Sequence, residues 1–122
     1  MLTLPRKRML KRRSDFQQVF RAGRAYANRY FVLYVFRLRP QDTRLQHKVG
    51  FAAGKKLGCA VVRNRVKRLL REAYRLHQAE LRDDVALLFV GRRGAVQASG
   101  TEVAQSLPRL AAKARIVKEE QA

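Results

Sequence analysis

Ala60-Val61-Val62-Arg63-Asn64-Arg65-Val66-Lys67-Arg68-Leu69-Leu70-Arg71-Glu72 carries two patterns at once. At 100° per residue, Arg63, Lys67, Arg68, Arg71 and Arg75 fall within one arc of roughly 140°. Val62, Val66, Leu69, Leu70, Ala73 and Leu76 fall together on the other side. The spacing predicts a helix over residues 60–78, with one face for a core and the other a row of cations. Guanidinium forks take phosphate oxygens two at a time, so such a row suits a polyanion. A helix kept only for solubility mixes signs along its surface. Here Glu72 alone is at hand to pair with the run, which favours a polyanion-binding face.

The rest of the composition agrees. The chain has 122 residues, 28 Lys+Arg against 9 Asp+Glu, a formal net charge of +19 and a pI near 11.6. That length suits one domain with a modest core, and 47% hydrophobic residues suffice to fold it. No apolar run approaches the roughly 18 residues of a membrane span, and no apolar segment follows the basic N-terminus as a signal peptide requires. Cys59 is the only cysteine, so no intrachain disulfide can form. The expectation is a cytoplasmic protein with a nucleic-acid partner, no membrane and no obligatory protein partner.

Working outward, Met1 to Arg13 reads as a basic arm, mobile until bound. Ser14-Asp15-Phe16-Gln17 reads as a capping box opening a short helix, with Phe16, Val19 and Phe20 on one face and Gly23 as its C-cap. Arg29 to Arg39 is a strand rich in aromatic and β-branched residues, both faces of which need cover. His47 to Ala53 gives a second strand, Gly54 to Gly58 a basic loop, and Asp84 to Gly91 a further strand. Val103, Leu107 and Leu110 mark a final helix, with Pro108 expected to open a second short segment. The tail from Arg115 to Ala122 is expected to be loose.

Protein-based catalysis finds few candidates. His47, His77 and Cys59 lack metal-ligand spacing, and Asp83-Asp84 reads as a turn before a strand. Gly50 to Lys56 has three residues between its glycines where a phosphate loop needs four, and Gly54 to Gly58 misses the Gly-x-x-Gly clamp by one residue.

Gly50-Phe51, Lys55-Lys56-Leu57-Gly58, Ala60 to Arg68 and Leu70-Arg71-Glu72 closely resemble the signature of the bacterial ribonuclease P protein subunit. The resemblance extends through Leu10-Lys11, Asp15-Phe16-Gln17, Val19-Phe20, Gly23 and Phe31 to Tyr34, and covers residues of about 8–113. It implies an α+β fold: a single two-layer α/β sandwich with an N-terminal helix, a mixed central sheet and the arginine-rich helix after the second or third strand. It also implies a left-handed βαβ crossover, where pattern alone would give the right-handed form of about 98% of such units. On function, it implies a ribonucleoprotein endoribonuclease that removes the 5′ leader from precursor tRNA, with Mg2+ held mainly by the catalytic RNA subunit. Lys55, Lys56, Arg63, Asn64, Arg65, Lys67, Arg68 and Arg71 would then dock on that RNA. Phe16, Phe20 and Tyr34 would bind the leader, although Phe at i and i+4 beside a strand Tyr is also an ordinary core pattern. The rival readings are a general basic RNA-binding protein, such as a small ribosomal protein, and a membrane-surface or DNA-compacting protein. The first gives no reason for the Arg-Asn-Arg block. The second lacks an aromatic anchor on the helix's polar side.

Overall fold

The computed structural model describes Leu4 and residues 8–118. Along the chain come α1 (Arg13–Ala22), β1 (Arg24–Ala27), β2 (Phe31–Arg37), β3 (Val49–Ala52), α2 (Ala60–His77), β4 (Val85–Gly91) and α3 (Gly100–Lys113). The strands form one mixed sheet in the order β1-β2-β4-β3. β2 runs antiparallel to β1 and β4, and β3 runs parallel to β4. Parallel neighbours need a crossover, and α2 supplies it.

Alternation along β2 sets up the two faces. Phe31, Leu33 and Val35 are buried in the core shared with α2 and α3, whereas Val32, Tyr34 and Phe36 are half-buried on the opposite face. α2 and α3 thus form the helical layer of the sandwich, and α1 lies across the other face with Val19 buried beneath it. β4 is central and buried from Val85 to Phe89, which is why it reads as a continuous apolar run. Under α2, Val66, Leu70, Ala73 and Tyr74 are buried. Full burial of a large apolar side chain contributes about 1.5–3 kcal/mol.

Several expectations give way here. β1 falls where no strand was read; it forms because Asn28 Oδ1 accepts from the backbone N–H of Tyr30 and Phe31, turning the chain into β2. α1 is not opened by a capping box at Ser14. Its N-cap is Arg12, without a side-chain bond, and Asp15 is drawn inward to Arg44 Nη1 at 2.7 Å. The reciprocal box occurs on α3, where Ser99 Oγ accepts from Glu102 N and Glu102 Oε1 accepts from Ser99 N, both at 3.1 Å. Pro108 does not divide α3, which runs unbroken through it. Burial of Val103, Leu107 and Leu110 on either side outweighs the roughly 3 kcal/mol that an interior proline costs. Leu76 leaves the apolar stripe and is 42% exposed; Tyr74 takes the buried place, packed edge-on to Phe51 and Phe89.

Both chain ends are engaged where they are described, in place of the loose arm and tail expected. Leu10 is buried and donates its N–H to Val49 O at 2.8 Å. Ile116 is fully buried and accepts from Arg82 N at 2.7 Å, and Val117 bridges to Leu81. The remainder of arm and tail, 1–3, 5–7 and 119–122, lies outside the described residues.

Candidate nucleic-acid interface

Two surfaces collect the residues singled out from the sequence. On α2, Asn64, Arg68 and Arg71 are exposed, and Lys55 and Lys56 are exposed on the 3-10 turn that leads into the helix. Arg71 lies 5.9 Å from the centre of the Phe51 ring, which steadies it while leaving its N–H groups outward. Arg63 and Lys67 are only half-exposed. Arg63 Nε is wholly enclosed with no hydrogen-bond partner. Arg65 is exposed but occupied: Nη1 donates to Val96 O at 2.7 Å and Nη2 to Ala98 O at 2.9 Å. It ties α2 to the loop between β4 and α3, a tertiary role that the docking assignment did not include. Glu72 spends its carboxylate on Arg75, whose hydrogen bond holds it below the usual carboxylate range. Arg68 and Arg71 make no ion pair among the described residues.

The second surface is the α1 face of the sheet. One row across it reads Ala25, Tyr34, Leu88, Gly50 in register. The ring of Phe16 rests on Gly50, where an added Cβ would come within 2.7 Å of it, so glycine makes room for the aromatic. Phe20 meets Tyr34 edge-on with ring centres 4.9 Å apart, and is 51% exposed. The next row on the same face places Val32, Val90 and Ala52 side by side, each half-buried. Phe16, Phe20 and Tyr34 are thus brought together, none of them in the enclosed core. The sequence reading missed Val90 and Ala52 as their neighbours, because strand order alone puts them there. It also missed the Asp15–Arg44 pair that fixes α1 against this face.

A hollow of about 540 Å³ beside the start of α2 gathers Lys56 with Arg29 and Arg93, and Glu102 lines it as well. Cys59 is the exposed N-cap of α2, its thiol pulled below the usual value by the backbone N–H groups of Val62 and Val61. His47 and His77 face Asp83 and Glu80 at 3.3 and 3.2 Å. Among the described residues no three His, Cys, Asp or Glu side chains come together as a metal site, and no helix is long and apolar enough to cross a membrane.

Comparison with known proteins converges on one family. The family described as Ribonuclease P matches residues 4–115. A ribonuclease P protein component from Symbiobacterium thermophilum is 40% identical over 111 residues, 91% of this chain and 94% of that protein. Its namesake from Dictyoglomus thermophilum is 37% identical over 95 residues, 77% of this chain and 75% of that protein. Among solved structures, the RNase P protein of Staphylococcus aureus superposes with a TM-score of 0.76 at 28% identity, covering 91% of this chain and 98% of that one.

Proposed function

This chain belongs to the ribonuclease P protein family, and from that premise we propose how its two surfaces divide the work of removing the 5′ leader from precursor tRNA. The basic face, from Lys55 and Lys56 through Arg68 and Arg71, docks on the catalytic RNA subunit. Arg63, Asn64 and Lys67 border the same contact, and Arg65 shapes it by holding the loop at Val96 and Ala98. Phe16, Phe20 and Tyr34 receive the single-stranded leader. The observation that carries this reading is the Phe20–Tyr34 pair, with Phe20 exposed and Tyr34 half-buried while Phe31 and Phe89 are fully enclosed. Stacking on such a platform contributes about 1–3 kcal/mol per base with little sequence preference, as leaders of varied sequence demand.

The Mg2+ chemistry is assigned to the RNA subunit, as the family resemblance implies; its phosphates would supply the hard oxygen ligands that such an ion takes. This chain's part is to neutralise phosphate repulsion where RNA subunit and substrate meet. The test compares the affinity of assembled holoenzyme for precursor tRNA with that for mature tRNA, which lacks the leader. Phe20→Ala and Tyr34→Ala should erase much of that preference, by about 1–3 kcal/mol where a base is stacked, yet assemble normally. Arg68→Ala should need more protein to assemble and keep the preference once assembled. Intact discrimination in folded Phe20→Ala and Tyr34→Ala would remove the cleft assignment. Cleavage by rigorously RNA-free protein would overturn the division of labour.

A further inference from the structure

Resting on the RNA-binding reading above, we propose that the hollow at the free edge of β1 is a second phosphate site, which grips an RNA backbone independently of α2. Arg24, Arg37, Lys113 and Arg115 line it with Tyr26 around a volume of about 810 Å³. These cations come from β1, β2, the last turn of α3 and the turn after it. Among the described residues no carboxylate lines the hollow, whereas four other surface hollows each take in at least one: Glu102, Asp42 with Asp84, Asp15, and Asp83 with Asp84. None of the four cations makes an ion pair among the described residues.

In so basic a chain, unpaired cations alone prove little, and position 115 is what sets this cluster apart. α3 ends with Ile116 N donating to Ala111 O at 3.0 Å, a closure that requires a left-handed residue between them. Arg115 provides it, at φ 58°. Glycine takes that conformation freely, while the Cβ of any other L residue crowds the next carbonyl. The position nonetheless carries an arginine that projects beside Lys113. Cations also offset the dipole at a helix C-terminus. Arg37 already serves there, donating to Ala114 O at 2.8 Å and Arg115 O at 3.3 Å. Arg24 belongs to β1 and lies 5.8 Å from the centre of the Tyr26 ring, outside the helix's last turn. Cations converging on a half-buried tyrosine match a backbone phosphate with its sugar or base against the ring. The site sits at the sheet edge opposite β3, where Arg71 covers Phe51. Three strand spacings, about 14 Å, lie between those edges, so the contact adds to that of α2.

Arg115→Gly offers a clean test, because it removes a cation while relieving the backbone. Combined with Arg24→Gln, and with Arg37 left in place to hold α3, it deletes two contacts. Titrated against the cognate RNA subunit over a salt series, the double variant should bind roughly tenfold or more weakly at low salt. The log–log salt slope should be shallower by a little under two units, at about 0.9 per phosphate contact. Its thermal midpoint should stay level or rise. A loss confined to precursor tRNA binding by preassembled holoenzyme would assign the gripped phosphates to the substrate, and also support the site. Unchanged affinities and slopes in both assays overturn it. Arg68→Ala run alongside separates the two readings: weakened assembly there leaves α2 docking standing when the β1-edge site fails, and unchanged assembly there removes α2 docking whatever the double variant shows.

Discussion

Arg65 and Arg68 stand three residues apart on one helix and carry the same charge, yet they do different things. Arg65 crosslinks α2 to the carbonyls of Val96 and Ala98; Arg68 is exposed and has no ion pair among the described residues. Arg65→Ala should therefore destabilise the fold by about 1–2 kcal/mol, toward the lower end for charged hydrogen bonds because the side chain is exposed. Arg68→Ala should leave stability within about 0.5 kcal/mol and weaken RNA binding instead. Denaturant unfolding of both variants checks this, and equal losses would mean that the two carbonyl bonds carry no net stability. Helical spacing leaves Arg65 outside the arc that holds Arg68, but it assigns only a direction to a side chain and not its distant acceptor. Phe16 and Phe20 share one face of α1 because i, i+4 spacing is a local rule, whereas Tyr34 meets Phe20 across a tertiary contact that only the family resemblance implied. That Phe20 stays half open depends on how α1 packs on the sheet, which no local rule contains.

At the scale of elements, α2 was the most legible, because its 3.6-residue period runs through eighteen residues without a breaker. β1 was the least, since Arg24-Ala25-Tyr26-Ala27 has no alternation of its own and exists only by pairing with β2. α3 is half legible: its apolar spacing predicts a helix, whereas its capping at Ser99 and Glu102 and its passage through Pro108 differ from the expected break at Pro108. Pro108 denies Ala104 O its helical donor, so Pro108→Ala should stabilise the protein by roughly 1–3 kcal/mol in denaturant unfolding. A loss on that substitution would mean that the proline ring's packing outweighs the missing bond. At the other end of α3, hydrogen bonds from the Ser99 backbone and side chain hold the Glu102 carboxyl below its ordinary value. A depressed folded pKa adds stability above the unfolded value, near 4.3, and loses it as pH falls through the folded one. The Tm advantage of the native chain over Glu102→Gln should accordingly shrink between about pH 5 and 3. A constant advantage would show that the capping box works without the charge.

For the whole molecule, the dominant quantity is +19 on 122 residues, and it makes stability and function respond to salt with opposite signs. In the free protein the cations repel one another, and among the described residues only a few find acids: Arg44 with Asp15, Arg75 with Glu72, Arg82 with Asp84 and Arg39 with Asp42 among them. Added salt screens the repulsion over a Debye length that falls to about 8 Å at physiological ionic strength, so the thermal midpoint should rise with salt. RNA affinity should fall over the same range, because each phosphate contact releases a counterion whose return becomes more favourable. Both exposed basic regions, α2 and the β1 edge, contribute to the first effect; only contacts that meet phosphate contribute to the second. The RNA subunit should itself stabilise the fold, since it binds the folded chain and relieves the same repulsion. At a free concentration a hundredfold above Kd the gain is about 2.7 kcal/mol, or roughly 10 °C in a domain of this size. Calorimetry of protein alone and of assembled holoenzyme, each across a salt series, measures both slopes. The protein's midpoint should climb with salt while the holoenzyme's increment over it shrinks. Parallel slopes would mean that the charge excess is neither repulsive in the fold nor neutralised in the complex. The electrostatic account of why this chain is so basic would then have to be abandoned.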